Sequence, residues 1–432
     1  MILAILKIIL VFYMNTRIGV KMKKIYLAVL ITFTIWGARL PTLGIPGVGK
    51  ISPITILCLL TAIYIMCYMV RKKKIMVNKM QKRTIFLVII SIISIAFSTI
   101  IYKLNIYGCV YYFTSFCILI VISFFVEDKE LHNFCEKIFF INVLIVLLLS
   151  MYEIFTGNYI ILKYESYRYQ RSMFGLYKPT ATFYNINNLA TFLVLATPIC
   201  CNVINNSNNN KKIKKVCFLF INIFVIASTN SRAAIIAIAL FLILELRNNK
   251  SKLKKIISIS LLSIGVLVLL IGNSYYPKNN EFVNEIEDEP RIDIWRETLK
   301  TMDKYHFVGI GPGNISDANM GRDDYYYTFG VPHNYFLEFW AEFGIIAVVL
   351  FICLIFENAY ICIKISRKSN DENIVKINCE NYIIFYALFV IMSICPSTMM
   401  TANYLWLILG LSISMTSVYM KGNEECLEQI NH

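Results

Sequence analysis

Charge is scarce in this sequence. Only 16% of its 432 residues are Asp, Glu, Lys or Arg, against 57% hydrophobic, and the mean hydropathy is +0.61. A soluble domain cannot hide that much apolar side chain, so the water-soluble classes are excluded. Histidine is scarcer still, with four copies, and no two cysteines fall in a CxxC spacing. The usual sequence signature of a metal site is therefore missing. Thirteen cysteines are present, yet the stretches 157–184 and 273–334 contain none. A cysteine in an apolar run acts as a small hydrophobe, so structural disulfides are not expected. The opening MILAILKIILVFYM is short for a span, carries Lys7 and lacks a small-residue cleavage site, which argues against a cleaved signal peptide. Met22, ahead of KKIYLAVLITF, reads as an alternative start.

What is abundant is membrane-length apolar sequence. Segments at roughly 25–40, 52–70, 84–101, 106–126, 138–156, 185–204, 216–229, 233–246, 256–272, 335–356, 382–398 and 402–420 predict an all-α polytopic membrane protein of about twelve transmembrane helices. The net charge of +15 sits largely in short tracts between them, RKKK at 71–74, KKIKK at 211–215 and KSKLKK at 250–255. That is the pattern set by membrane insertion, and nucleic acid is not an expected partner. An even number of spans puts residues 1–24 and 421–432 in the cytoplasm. Spans one to six then occupy 25–204, with an outer loop at 157–184. Spans seven to nine occupy 205–272, a long outer loop fills 273–334 between spans nine and ten, and spans ten to twelve fill 335–420.

Residues 216–246 test this layout. As one helix they would run about 46 Å, well beyond a hydrocarbon core of about 30 Å. Basic tracts flank them on both sides, and both prefer the cytoplasm, so the chain is expected to turn back at STNSR, 228–232. Arg232 would then lie at a buried turn just below the outer surface, an expensive position for a cation.

The outer loops carry the remaining chemistry. The shorter contains Arg168, Arg171 and Tyr164, Tyr167 and Tyr169. The longer has an acidic start, NEFVNEIEDEP, a predicted helix, RIDIWRETLKTMDKY, a glycine turn, GIGPGN, and the tyrosines Tyr325, Tyr326 and Tyr327. In that helix Ile292, Trp295, Leu299 and Met302 recur at helical spacing as one apolar face. The glycine turn lacks the flanking strand of a nucleotide fold and reads as a plain turn. Of the four histidines, His132 is expected in a cytoplasmic loop, His306 in the outer loop and His432 in the tail. His333 follows Pro332 at the start of the tenth span, where the helix dipole favours a neutral imidazole able to accept a proton from a hydroxyl. Arg232, Arg291, Arg168 and Arg171 are candidate phosphate ligands. Glu338 and Glu342, one turn apart, are candidates to orient a ring nitrogen or bind arginine. Tyr326 and its neighbours offer flat faces for sugar rings, against a default role of interfacial anchoring.

Four motifs in order, ATFYNINNLA (181–190), STNSRAAIIA (228–237), RIDIWRETL with VGIGPGN (291–314) and PHNYFLEFWAEFGIIA (332–347), resemble the O-antigen ligase and polymerase family. The resemblance covers residues 165–356; the first five spans are similar only in hydropathy. It implies glycosyl transfer at the outer face of the cytoplasmic membrane, from a glycan linked through diphosphate to a polyprenol, with no metal and no other cofactor. His333 matches the family histidine that helps activate the acceptor hydroxyl. Arg232 and Arg291 match arginines that hold the diphosphate, and Glu342 and Gly344 match its E-x-G. Membrane lipids, the lipid-linked oligosaccharide, a chain-length regulator and a flippase are the implied partners. The expected activity is a metal-independent, inverting polysaccharide polymerase for O-antigen, capsule or exopolysaccharide. A ligase acting on a lipid core, or a twelve-span flippase, is the alternative.

Overall fold

Lipid offers no hydrogen-bond partners, so a spanning backbone has to bond to itself. The apolar runs accordingly form helices in a computed structural model that describes residues 17–37, 43–45, 49–61, 78–102, 108–160, 172, 175–183, 185–207, 210–247, 291–320, 330–369, 374–395 and 398–430. In chain order these are α1 (Arg17–Trp36), α2 (53–61), α3 (Lys79–Tyr102), α4 (Cys109–Phe125), α5 (Lys129–Thr156), α6 (Ile186–Asn205), α7 (Lys211–Ser228) and α8 (Arg232–Arg247). There follow α9 (Arg291–Lys304), α10 (Asn314–Met320), α11 (Tyr335–Lys368), α12 (Ile374–Met392) and α13 (Asn403–Ile430). Helices α9 and α10 belong to the long loop, and the others fall on expected spans. The expected span at 256–272 lies outside the described residues. Among the described helices, α3, α5, α6, α11, α12 and α13 are each long and apolar enough to cross a bilayer. Between α1 and α2, Leu43–Ile45 pairs antiparallel with Gly49–Ile51.

Helix ends follow local chemistry. Asp128 caps α5 by accepting the Leu131 amide at 2.8 Å, and Gly157 closes the same helix with φ 67°. Residues 229–231 turn the chain between α7 and α8, with Asn230 at φ 58°, so the 216–246 run is a hairpin.

Helices in lipid associate through close packing and interhelical hydrogen bonds, not through water exclusion. The core is aromatic: α13 packs on α4, and α11 on α3 and α12. Trp406 sits edge-on to Phe116 at 5.2 Å, with Phe339 and Phe351 alongside. One end of the bundle carries the basic tract 211–215 at the start of α7. There Lys23 pairs with Glu127 (3.1 Å), Lys24 with Glu130 (2.5 Å) and Lys79 with Glu357 (2.9 Å), while Lys215 pairs with Glu245.

Toward that end lies a buried polar knot. Glu136 accepts hydrogen bonds from Asn202 Nδ2 (3.0 Å) and Tyr382 Oη (2.9 Å). His132 Nε2 approaches the same oxygen at 3.3 Å, its Nδ1 meets Ser414 Oγ at 3.0 Å, and Asn381 donates to Asn202 (2.7 Å). The knot joins α5, α6, α12 and α13. His132 is thus not in a loop, as its polar surroundings in sequence suggested; it is 3% exposed on the first turn of α5. Removing a partner from such a set leaves buried groups unsatisfied, at about 1–3 kcal/mol each. Glu136→Ala should lower the thermal midpoint of the detergent-solubilised protein markedly. Glu136→Gln, which keeps an acceptor oxygen, should lower it less; equal effects would show that the acceptor is unimportant.

Candidate functional site at the loop-bearing end

The opposite end is where the long loops attach. His333 occupies a one-residue left-handed turn, φ 49°, a conformation costly for a side chain with a Cβ. Its neighbours fix that turn. Asn334 caps α11, its Oδ1 accepting the Phe336 and Leu337 amides at 3.1 and 3.2 Å. The Tyr335 amide donates to the Ser393 carbonyl at 2.9 Å, tying the start of α11 to the end of α12. Before the turn, the Pro332 carbonyl accepts the indole N–H of Trp295 at 2.6 Å. That bond draws α9, whose first residue is Arg291, onto the histidine turn. In α9 the face that packs inward is Ile294, Thr298 and Met302; Ile292 and Leu299, expected on the apolar face, are exposed.

Arg232 comes to the same end by another route. Ser231 Oγ lies 3.1 Å from Cys395 Sγ, two residues from the carbonyl that holds Tyr335. The arginine turn and the histidine turn therefore flank one segment, 393–395. Ser228, Thr229 and Ser231 are buried, but Arg232 itself is exposed as the first residue of α8. Small hydroxyl residues fill the buried turn, and Arg232 stands exposed at its edge. Arg168, Arg171 and Tyr326 lie outside the described residues.

Glu338 and Glu342 are each 1% exposed. Glu338 accepts from the Thr398 hydroxyl and from the Met399 amide (2.8 Å). Glu342 Oε1 accepts the Gly313 amide at 2.7 Å. Neither reaches a surface, so both carboxylates serve as loop holders and not as the arginine or imidazole partners that their spacing suggested. Glu153, at the end of α5, does the same for the shorter loop, accepting the Thr180 and Ala181 amides at 2.7 and 2.8 Å.

The glycine turn proves to be more than a turn. Helix α11 has 34 residues but is broken at Gly344, where φ is 80° and ψ 173°. A break frees backbone groups that must be satisfied elsewhere. Here Ile310 N donates to Ala341 O and Gly311 N to Glu342 O, both at 2.9 Å, and Ile345 N donates to Phe307 O at 3.1 Å. Ser94 and Ser98 of α3 donate to the Val308 and Gly309 carbonyls at 3.1 and 2.8 Å. Residues 307–313 are thus threaded into the bundle. Sequence periodicity carried no sign of this, because the partners are more than thirty residues apart. The one local signal was Gly344 inside an apolar helix.

Taken together, the fold and this end define a multi-pass helical membrane protein whose arginine and histidine turns are gathered where its loops attach. Residues 217–352, which contain Arg232, Arg291 and His333, match the O-antigen ligase family model. The teichuronic acid biosynthesis protein TuaE of Bacillus subtilis (strain 168) is 24% identical over 322 residues, covering 70% of this chain. The match spans 64% of that relative, less than two thirds of its length. No solved structure matches. Over that segment the chain is similar to the O-antigen ligase family.

Gly344→Ala would set a Cβ against the Val308 carbonyl in a backbone region closed to L-residues, and one at Gly309 would lie 2.6 Å from Gly344 N. Either substitution should displace the threaded loop and sharply reduce folded yield. Glu342→Ala should raise amide hydrogen exchange at Gly313 by about tenfold or more, with Glu342→Gln closer to wild type. Unchanged exchange in the alanine variant would remove the clamp from the account.

Proposed function

We propose that this protein is a polysaccharide polymerase acting at the outer face of the cytoplasmic membrane. It transfers a glycan from polyprenyl diphosphate to a hydroxyl of another lipid-linked repeat unit. The observation that carries the reading is that the Arg232 turn, the His333 turn and the helix begun by Arg291, all within the family-matched segment, are tied together. Arg232 lies beside segment 393–395, that segment holds Tyr335, and Trp295 ties the Arg291 helix to the peptide before His333.

The chemistry asks for two things at once. As the anomeric C1–O bond breaks, negative charge grows on the diphosphate, and guanidinium groups fixed nearby stabilise it. Arg232 and Arg291 take that part. The acceptor hydroxyl attacks C1 from the opposite face and gives its proton to the His333 imidazole, so the product is inverted. The diphosphate is a good leaving group and needs no strong acid. Arg168, Arg171 and Tyr326 are assigned to the glycan and headgroup. The outward orientation rests on the charge pattern of the sequence and on Lys23, Lys24, Lys79 and the tract 211–215, which lie at the other end of the bundle.

Purified protein in nanodiscs, given lipid-linked repeat units and no lipid-core acceptor, should lengthen them. Product only when a lipid core is added would make it a ligase; movement of the lipid between leaflets without new glycosidic bonds would make it a flippase. His333→Ala should abolish long product while the protein stays in the membrane. Arg232→Ala and Arg291→Ala should each lower turnover by about 10²–10³. Near-normal chain length in the histidine variant would exclude it as the base.

A further inference from the structure

We infer that Trp295 is a positioning residue for this transfer, fixing the His333 turn against the helix that carries Arg291; the inference rests on the glycosyl-transfer reading above. An indole has a single polar obligation, its N–H. In Trp295 that N–H is given to the Pro332 carbonyl at 2.6 Å. This carbonyl belongs to the peptide unit that joins Pro332 to His333. A peptide unit is rigid, so holding its oxygen also sets the axis about which His333 leaves it. Asn334 caps the helix immediately on the other side. His333 is therefore held from both flanks in a left-handed conformation, φ 49°, that persists only where its surroundings over-determine it.

The donor itself is mounted on a fixed rod. Met302, two turns further along α9, is buried in a cluster with Ile310, Ile315 and Ala341, against which Leu337, Trp340 and Phe307 pack. Phe307 stacks on Trp340 with centroids 5.9 Å apart. Both ends of α9 are thus referred to α11, one through an apolar cluster and the other through a single hydrogen bond. Arg291 is the first residue of α9, four residues before Trp295. The indole bond is the short link between the element that holds the leaving group and the residue that takes the proton. Losing it should misplace the base relative to the bond being broken while leaving the donor-binding surface in place.

Trp295→Phe keeps the aromatic bulk and removes only the N–H donor. In full-length protein in nanodiscs, with a polyprenyl-diphosphate-linked repeat unit as probe, kcat should fall about tenfold or more, with KM for that donor within about twofold. The pH profile of kcat should move while the thermal midpoint does not. A wild-type kcat and profile, or a fall in kcat that merely follows a fall in thermal midpoint, would overturn the inference. Diethyl pyrocarbonate labelling gives an arm independent of turnover, with exposed His306 as internal reference. The ratio of His333 to His306 labelling should change by about threefold or more in the Trp295→Phe protein. An unchanged ratio overturns the pinning. A changed ratio in a protein whose wild type does not elongate the probe overturns the glycosyl-transfer reading alone, and leaves Trp295 as the residue that sets the histidine turn.

Discussion

A carboxylate buried inside a helical bundle must find donors, and at the loop-bearing end of this protein it finds them in loop backbone. Glu153, Glu338 and Glu342 sit on α5 and α11 and accept amides from residues 180–181, 399 and 313. An unpartnered carboxyl group buried there would be costly; one that accepts hydrogen bonds from backbone amides is tolerated and directional. Each glutamate turns a rigid helix into an anchor for a connection that has no regular structure of its own. The approach to α6, the link between α12 and α13, and the glycine turn after α9 are all held in this way.

The two ends of the bundle use polarity differently. Around Glu136, side chains satisfy one another across four helices, giving a closed set that ties helix to helix. At the other end the glutamates take main-chain donors from the loops. Side-chain knots suit a scaffold. Backbone clamps suit a place where irregular loops must be held in one geometry.

Much of this could be read along the chain, and the limit has a physical form. Hydropathy located the spans because apolar length is a local property, and the charge argument placed the hairpin at 229–231 for the same reason. The helix at 291–304 followed from spacing, although its buried face did not: Ile294 and Thr298 face inward because α11 is there, not because they are the most apolar residues. Partner identity is non-local. Glu342 and Gly313, or Trp295 and Pro332, lie 29 and 37 residues apart, and no period in the sequence links them. The burial of His132 escaped for the same reason, since Ser414, which meets its ring, lies 282 residues away on α13.

The break at Gly344 also redraws the unit that evolution or an engineer could exchange. The piece from Tyr335 to Phe343 shares its backbone hydrogen bonds with residues 307–311 and is joined to the rest of α11 only through one non-helical residue. It goes with the loop and not with the span. A chimera that exchanges this loop between relatives would have its seam at Gly344, about a third of the way into α11. A seam at the apparent membrane boundary would separate the loop from the short rod that gives it its shape.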